Sequence, residues 1–175
     1  MSSIAYPINE IKGIAFDIDG VLSPSCVPMG EDGIPRRMAN LKDGYAMVLA
    51  VKAGLKLAII SGAVAPGIKE RLEAIGIQDI YCGSLEKLEI LKEWMAKHNL
   101  KPSEVAFVGD DIPDVAPMRY VGLGVAPHDG SRDALQAANY VTDADGGHGV
   151  ARELIEQILR VQGLWPTIDK SAYGL

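Results

Sequence analysis

The chain reads as an α/β protein: a Rossmann-like, three-layer, doubly wound parallel sheet carrying a β-hairpin flap and no separate cap domain. Three observations predict it. Short, wholly apolar runs alternate with amphipathic stretches of helical period, the pattern of a parallel sheet covered on both faces. Several of those runs end in polar tips, where open α/β sheets gather their ligands. The spacers are short as well. Residues 20–60 must include a helix, and residues 88–109 are spent on one helix and a turn, so neither leaves room for a folded cap. The whole of 1–175 is expected to form one domain, long enough to bury a substantial core.

Taken in order, Gly13–Asp17 is the first strand. Ser23–Asn40 then breaks the alternation with three prolines and two glycines. Two short arms flank Gly30-Glu31-Asp32-Gly33 there, which reads as a β-hairpin flap over the strand ends. Asp43–Ala53 is a helix, Lys56–Ile60 the second strand, Pro66–Ile75 a helix and Asp79–Cys82 the third strand. Leu85–His98 is strongly periodic, with Leu88, Leu91, Trp94, Met95 and His98 on one face and Ser84 as a plausible N-cap. His98 reads as a helix-end residue, not a ligand. Glu104–Val108 is the fourth strand. Pro113 and Pro117 are expected to limit the segment after it to about one turn. Val121–Val125, the helix Arg132–Ala137, a brief strand Asn139–Val141 and the helix Val150–Val161 complete the set. Beyond them Gly163 suits a helix C-cap and Pro166 blocks a restart. The tail 162–175 carries Leu164, Trp165, Ile168 and Tyr173, too apolar a set for a purely solvating end.

Composition excludes several classes. A formal net charge of −6 gives no basic footprint for nucleic acid. No apolar run approaches the ~20 residues needed to span a bilayer, so no membrane partner is expected. Cys26 and Cys82 are too few for a disulfide framework, and the N-terminus lacks the charged and apolar regions of a signal peptide. The expected location is the cytoplasm.

The chemistry is concentrated at strand ends. Ile14-Ala-Phe-Asp17-Ile-Asp19-Gly20 delivers two carboxylates, two residues apart, onto a glycine turn. In an extended strand such side chains point the same way, so Asp17 and Asp19 can share one site. Paired acids repel and forfeit solvation unless a cation or a reaction uses them, which asks for a divalent metal and a carboxylate nucleophile. Lys56–Ile60 ends in Ser61-Gly62, where a hydroxyl and bare backbone N–H groups can hold phosphate oxygens. Glu104–Val108 runs into Gly109-Asp110-Asp111-Ile-Pro-Asp114, a cluster of three carboxylates, of which Asp111 and Asp114 also suit a helix N-terminus. Lys87 sits in the first turn of its helix, against the macrodipole, a cost that makes sense if it neutralises phosphate or the acidic cluster.

Asp17-Ile-Asp19-Gly20, Ser61-Gly62, Lys87 and Gly109-Asp110-Asp111-x-x-Asp114 resemble, in order, the four motifs of the haloacid dehalogenase superfamily of phosphatases. Four passages are similar to the KDO 8-phosphate phosphatase family within it, small capless enzymes of lipopolysaccharide sugar synthesis. They are Leu41-Lys-Asp43-Gly44-Tyr, Tyr81-Cys-Gly83-Ser-Leu-Glu-Lys87-Leu, Val105-Ala-Phe-Val-Gly-Asp-Asp-Ile and Asp145-Gly-Gly-His148-Gly-Val-Ala-Arg-Glu153.

The resemblance implies a Mg²⁺-dependent phosphomonoesterase working through an aspartyl-phosphate. Asp17 would be the nucleophile. Asp19 would protonate the departing sugar oxygen and then activate water, which asks its carboxyl to keep a proton under cover of the flap. The metal would lie between Asp17, the Asp19 backbone carbonyl and Asp110. Asp111 and Asp114 are second choices for it, and Asp114 could equally orient Lys87. Ser61, Gly62 and Lys87 would bind the phosphoryl oxygens. The family also implies a homotetramer in which flaps and tails of neighbours close each site, with Trp165 packing on the assembly and the tail near an active-site mouth.

The match departs from the family at two points. Ala63 stands where the family commonly has arginine; Arg36, Arg37 or Arg71 could compensate, although each also reads as a surface residue. His148 stands where arginine is more frequent, and either contacts substrate or an adjacent subunit or is a turn residue. Two other readings stay open: a phosphatase of a nine-carbon keto-sugar acid such as KDN 9-phosphate, and a non-catalytic metal- or phosphate-binding module that keeps the fold.

Overall fold

A computed structural model describes residues 4–166. Six parallel strands form one sheet in the order β3-β2-β1-β4-β5-β6. The strands are β1 (Gly13–Phe16), β2 (Lys56–Ser61), β3 (Asp79–Cys82), β4 (Val105–Val108), β5 (Leu123–Ala126) and β6 (Tyr140–Val141). The helices between and after them are α1 (Leu41–Lys52), α2 (Pro66–Ala74), α3 (Lys87–Lys97), α4 (Ile112–Tyr120), α5 (Arg132–Ala137) and α6 (Val150–Val161). This is the doubly wound α/β fold that the alternation predicts.

The pleat of the sheet explains the two apolar layers. Ile14 and Phe16 of β1, with Leu57 and Ile59 of β2 and Val125 of β5, pack beneath α1 and α6. Ala15, Ala58, Ile60 and Phe107 face the other way, onto α3, α4 and α5. Every one of these residues is essentially sealed from solvent, so the runs are continuous rather than alternating, as two-sided burial requires. The strand order reverses between β1 and β4. Phe16 pairs with Ile59 on one side and Val108 on the other, so the residues that follow β1, β2 and β4 emerge side by side in the crevice at this switch point.

Two expectations about helices need correction. The segment after the acidic cluster is a nine-residue helix, α4, not a single turn. Pro113 lies in its first turn, where a backbone N–H has no intrahelical partner to lose. Pro117 costs one internal bond, yet the chain continues, and Val121 N–H closes onto the Pro117 carbonyl at 3.3 Å. Burial of Asp114, Pro117 and Met118 against the sheet outweighs that local penalty. The N-cap of α3 also differs: the helix begins at Lys87, and the Ser84 hydroxyl accepts from Glu86 N–H at 3.1 Å, closing a turn ahead of it. His98 is the C-cap of α3, with Nε2 2.7 Å from Asp79 Oδ2.

Between β1 and α1 the chain folds back as a minimal hairpin. Met29 and Pro35 form one antiparallel bridge, Gly30 N–H donates to the Ile34 carbonyl at 2.9 Å, and Gly33 takes the turn at φ +74°. At the far end Gly163, at φ +70°, terminates α6 while Leu164 N–H returns to the Leu159 carbonyl at 2.7 Å. Trp165 packs on its own chain, with the Arg152 and Arg160 guanidinium carbons 4.6 and 5.6 Å from its ring centroid. Residues 167–175, which hold the rest of the tail discussed above, lie outside the described residues. No helix among the described residues is long and apolar enough to cross a membrane.

Candidate active site

The site is built by where three strands stop. Asp17 follows β1 directly and continues the face of Ala15, towards α3. Lys87, the first residue of α3, meets it there: Nζ lies 2.7 Å from Asp17 Oδ2 and 2.7 Å from Asp114 Oδ1. All three side chains are buried. The second Asp114 oxygen accepts from Asp110 N–H at 3.1 Å and Asp111 N–H at 3.4 Å, so this carboxylate is fully engaged in tying α4 to Lys87. Asp114, one of the second choices for a metal, thus accepts from Lys87 through one oxygen and from the backbone leading into α4 through the other. Asp111 is the exposed N-cap of α4.

Asp17, Asp110 and Asp114 each bring a carboxylate oxygen within 4.8 Å of the others. Asp17 Oδ1 accepts from Ile18 N–H at 2.6 Å, while the Asp110 carboxylate has no hydrogen-bond donor among the described residues. Burial, then the charges of Asp114, Asp17 and Asp111, push the Asp110 carboxyl up to about 7. Burial and Asp17 push Asp114 up to about 6, against the pull of Lys87 and the backbone N–H. Burial alone would lower Lys87, but the carboxylates of Asp17 and Asp114 overcome it and hold the ammonium above the ordinary lysine value. Three crowded carboxylates against one lysine leave unmet negative charge, and the open face of Asp110 beside Asp17 is where a hard cation fits. Gly20 makes that approach possible. At φ +78°, a Cβ there would stand 1.9 Å from Asp110 Oδ2.

Asp19 is placed differently from the sequence expectation. The strand ends at Phe16, so the alternation that would aim Asp17 and Asp19 together lapses, and the Asp19 carboxylate is not part of the acidic cluster. It is held instead by the flap, where Arg37 Nε and Nη2 donate to its two oxygens at 2.7 and 2.8 Å. Arg37 is only 11% exposed, so it is no surface residue. The Asp19 hydrogen bond, against the opposing effect of burial, raises the guanidinium above its usual value. Sequence reading undervalued Arg37 because a loop residue has no periodicity to place it. Arg36 is a surface residue, paired with Asp32 at 2.7 Å.

Ser61 closes β2, buried, its hydroxyl accepting from Ala63 N–H at 3.2 Å; Gly62 follows it, exposed, on the same edge as Asp17. His148 is exposed on the loop before α6, with Nδ1 2.8 Å from the carbonyl of Gly146. That loop backs the Asp19 turn, because Gly147 N–H donates to the Val21 carbonyl at 2.8 Å and a Cβ on Gly146 would strike the Gly20 carbonyl. Asp43, in one of the passages singled out above, serves the scaffold. Its Oδ1 accepts from Arg152 N–H in the first turn of α6 at 2.7 Å, while the buried Oδ2 has no partner.

A buried lysine bridging two carboxylates at a parallel-sheet switch point, with a third acid alongside, agrees with what family comparison finds. A model of haloacid dehalogenase-like hydrolases matches residues 46–154. The chain belongs to the haloacid dehalogenase-like hydrolases. It is 36% identical over 155 residues to the 3-deoxy-D-manno-octulosonate 8-phosphate phosphatase of Salmonella typhi, which covers 89% of this chain and 82% of that one. The crystal structure of the Moraxella catarrhalis 3-deoxy-D-manno-octulosonate 8-phosphate phosphatase, in complex with magnesium, phosphate and KDO, superposes with a TM-score of 0.85 at 31% identity, covering 89% of this chain and 90% of that one. The cobalt-bound phosphatase of Haemophilus influenzae superposes at 0.88 with 26% identity, covering 94% and 98%. This hydrolase is therefore a phosphatase of the kind these relatives represent.

Proposed function

We propose that this hydrolase is a Mg²⁺-dependent phosphomonoesterase that cleaves a sugar-acid phosphate, KDO 8-phosphate, through an aspartyl-phosphate on Asp17. The single observation that carries the reading is the buried Lys87 bridge between Asp17 and Asp114, beside the unpaired Asp110. A structural role alone does not account for three crowded acids at a crevice.

Asp17 attacks phosphorus in line. Its free lone pairs and fixed position beneath Lys87 divide one hard hydrolysis into two displacements. Lys87, Ser61 and the backbone around Gly62 take the phosphoryl oxygens, whose charge must be stabilised in transfer. Asp19 gives its proton to the departing sugar oxygen and recovers one from the water that releases phosphate. Asp17 and Asp110, with the Asp19 carbonyl, hold Mg²⁺; Asp111 and Asp114 stand behind them. When bound, the metal supplies Lewis acidity and offsets the crowded negative charge. His148 is proposed as a contact of the distal part of the substrate.

The relatives named for KDO 8-phosphate, and the magnesium, phosphate and KDO held by the Moraxella enzyme, support this substrate and cofactor. The chain is proposed to act as one domain, with residues 23–40 as a flap, in the cytoplasm and as a homotetramer. Support for assembly comes from exposed apolar side chains concentrated after strand ends, among them Met29, Ile34, Met38, Leu41, Val64 and Leu85. The test is phosphate release over a panel of keto-sugar-acid phosphates, with and without Mg²⁺. KDO 8-phosphate should give the highest kcat/KM, and only with the metal. A higher value for a nine-carbon acid such as KDN 9-phosphate would reassign the substrate, and no release from any phosphate would overturn the reading.

A further inference from the structure

Gly20 sits between two close neighbours. On one side a Cβ would strike the Asp110 carboxylate, and on the other Gly146 lies so near that its own Cβ would strike the Gly20 carbonyl. The turn that carries the Asp19 carbonyl therefore has no slack toward either Asp110 or the loop before α6. That loop is pinned by two acids the mechanism does not use. Glu153, in the first turn of α6, is half-buried and reaches back along the chain. Its Oε1 accepts from the Tyr140 hydroxyl at 2.5 Å and from Asp143 N–H at 3.0 Å, and its Oε2 from Ala144 N–H at 3.0 Å. Asp129 Oδ1 accepts from Gly146 N–H at 2.8 Å. Just beyond Asp129, Ser131 N–H donates to the Asp110 carbonyl, also at 2.8 Å. Asp129 therefore joins the segment that grips Asp110 to the loop on which the Gly20 turn rests.

The run Asp145-Gly146-Gly147-His148-Gly149 is rich in glycine, a composition that leaves a loop pliable on its own. Its rigidity comes from those carboxylates, because a backbone N–H bonded to an ionised acceptor makes a stronger bond than one to a carbonyl. Rigidity matters at this place. Mg²⁺ tolerates little error in ligand position and takes near-octahedral oxygens at about 2.0–2.1 Å, whereas Ca²⁺ accepts a larger, looser shell. We propose that Asp129 and Glu153 are positioning residues: they hold residues 142–149 as a fixed wedge behind Gly20, and so set the gap between Asp110 and the Asp17–Asp19 turn to the width that Mg²⁺ needs. This rests on the metal-dependent phosphatase reading above and adds what selects the ion. Among the described residues neither side chain bonds to Asp17, Asp19 or Asp110, so the influence passes through backbone. Partners outside the ligand shell commonly govern metal affinity in this way.

The experiment is calorimetric titration of Mg²⁺, and separately of Ca²⁺, into the metal-stripped full chain without substrate, with urea unfolding of each variant alongside. Asp129→Ala should raise the Mg²⁺ Kd about tenfold, the scale for a partner outside the ligand shell, and the Ca²⁺ Kd by less. Asp129→Asn keeps an amide oxygen that can accept from Gly146 N–H, and should bind Mg²⁺ nearly as wild type does. Glu153→Ala, which frees three donors, should raise the Mg²⁺ Kd more than Asp129→Ala. Glu156→Ala, which removes the Arg152 and Arg160 pairs on the same helix, should leave it unchanged. Should Glu153→Ala fail to fold, the variants of Asp129, an exposed residue, still decide. A wild-type Mg²⁺ Kd in Asp129→Ala would overturn the inference. So would a rise that follows unfolding free energy in every variant, Glu156→Ala included, since that marks a purely structural role. Both results leave the phosphatase reading standing. A wild-type chain that binds no Mg²⁺ would overturn the metal assignment and this inference with it.

Discussion

The ammonium of Lys87 lies 2.7 Å from the carboxylate of Asp17, with side-chain exposures of 3% and 9%. A charge pair this deep does little for stability by comparison with apolar packing, because desolvation offsets most of the attraction. Its significance is positional. In the proposed mechanism it fixes one oxygen of the attacking carboxylate and brings a cation to where phosphoryl charge would accumulate.

Lys87→Met should therefore damage two properties at once. Removing one partner leaves Asp17, Asp114 and Asp110 uncompensated, which should cost roughly 3–5 kcal/mol in urea unfolding. Phosphatase turnover of the folded fraction should fall by about a thousandfold or more, since the transition-state contact is gone. A variant of normal stability and rate would remove Lys87 from the site.

Asp19→Asn tests the acid role through the leaving group. Hydrolysis of a sugar phosphate, whose alkoxide leaves poorly, should drop by about two to four orders of magnitude, the scale of general acid catalysis. An aryl phosphate, whose phenolate needs little protonation, should lose far less. Equal losses on both substrates would mean that Asp19 acts elsewhere in the cycle.

Metal dependence separates the acids of the Asp110–Asp114 segment. EDTA should silence the enzyme, Mg²⁺ should restore it, and Ca²⁺ should inhibit through its larger, looser shell. Asp110→Asn should raise the Mg²⁺ requirement more than Asp111→Asn, because Asp110 turns an unpaired carboxylate toward Asp17 while Asp111 is an exposed helix cap. The reverse order, read from titrations of activity against Mg²⁺, would reassign the principal ligand.

Asp43 gives a prediction about stability and pH. Burial pushes its carboxyl up to about 6, opposed by the Arg152 N–H and charge. A folded-state value above the unfolded one means the folded state holds the proton more tightly. This contribution is fully present below about 4 and is lost as pH rises through 6. By linkage the loss is roughly 2–3 kcal/mol. Asp43→Asn cannot ionise, so its unfolding free energy relative to wild type should improve by about that amount between pH 4.5 and pH 8. A constant difference across that range would show that the buried carboxylate is not the titrating group.

These outcomes also mark what the sequence could reveal. β1, β2, β3 and α6 were readable because burial on both faces, or on one helical stripe, writes itself as period; Val150–Val161 has the same limits in sequence and structure. Three of the four motifs stood out because each closes an apolar run, and Lys87 because it opens a strongly periodic helix against the macrodipole. α4 did not, since two prolines argue locally against a helix whose packing against the sheet lies far away in sequence. Arg37 stayed hidden for a similar reason. Its partner, Asp19, lies 18 residues back in the sequence, and the proline-rich loop between them carries no periodic signal of where it lands.

The central claim is that Asp17 carries the phosphoryl group, and trapping it is the most direct test. Enzyme quenched in acid during steady turnover of KDO 8-phosphate should contain a fraction heavier by one phosphoryl group, mapped by peptide mass to the segment holding Asp17. Asp17→Asn should fold normally, show no such fraction and release no phosphate. Continued turnover in that variant, or a phosphoryl group trapped on any other residue, would contradict the account.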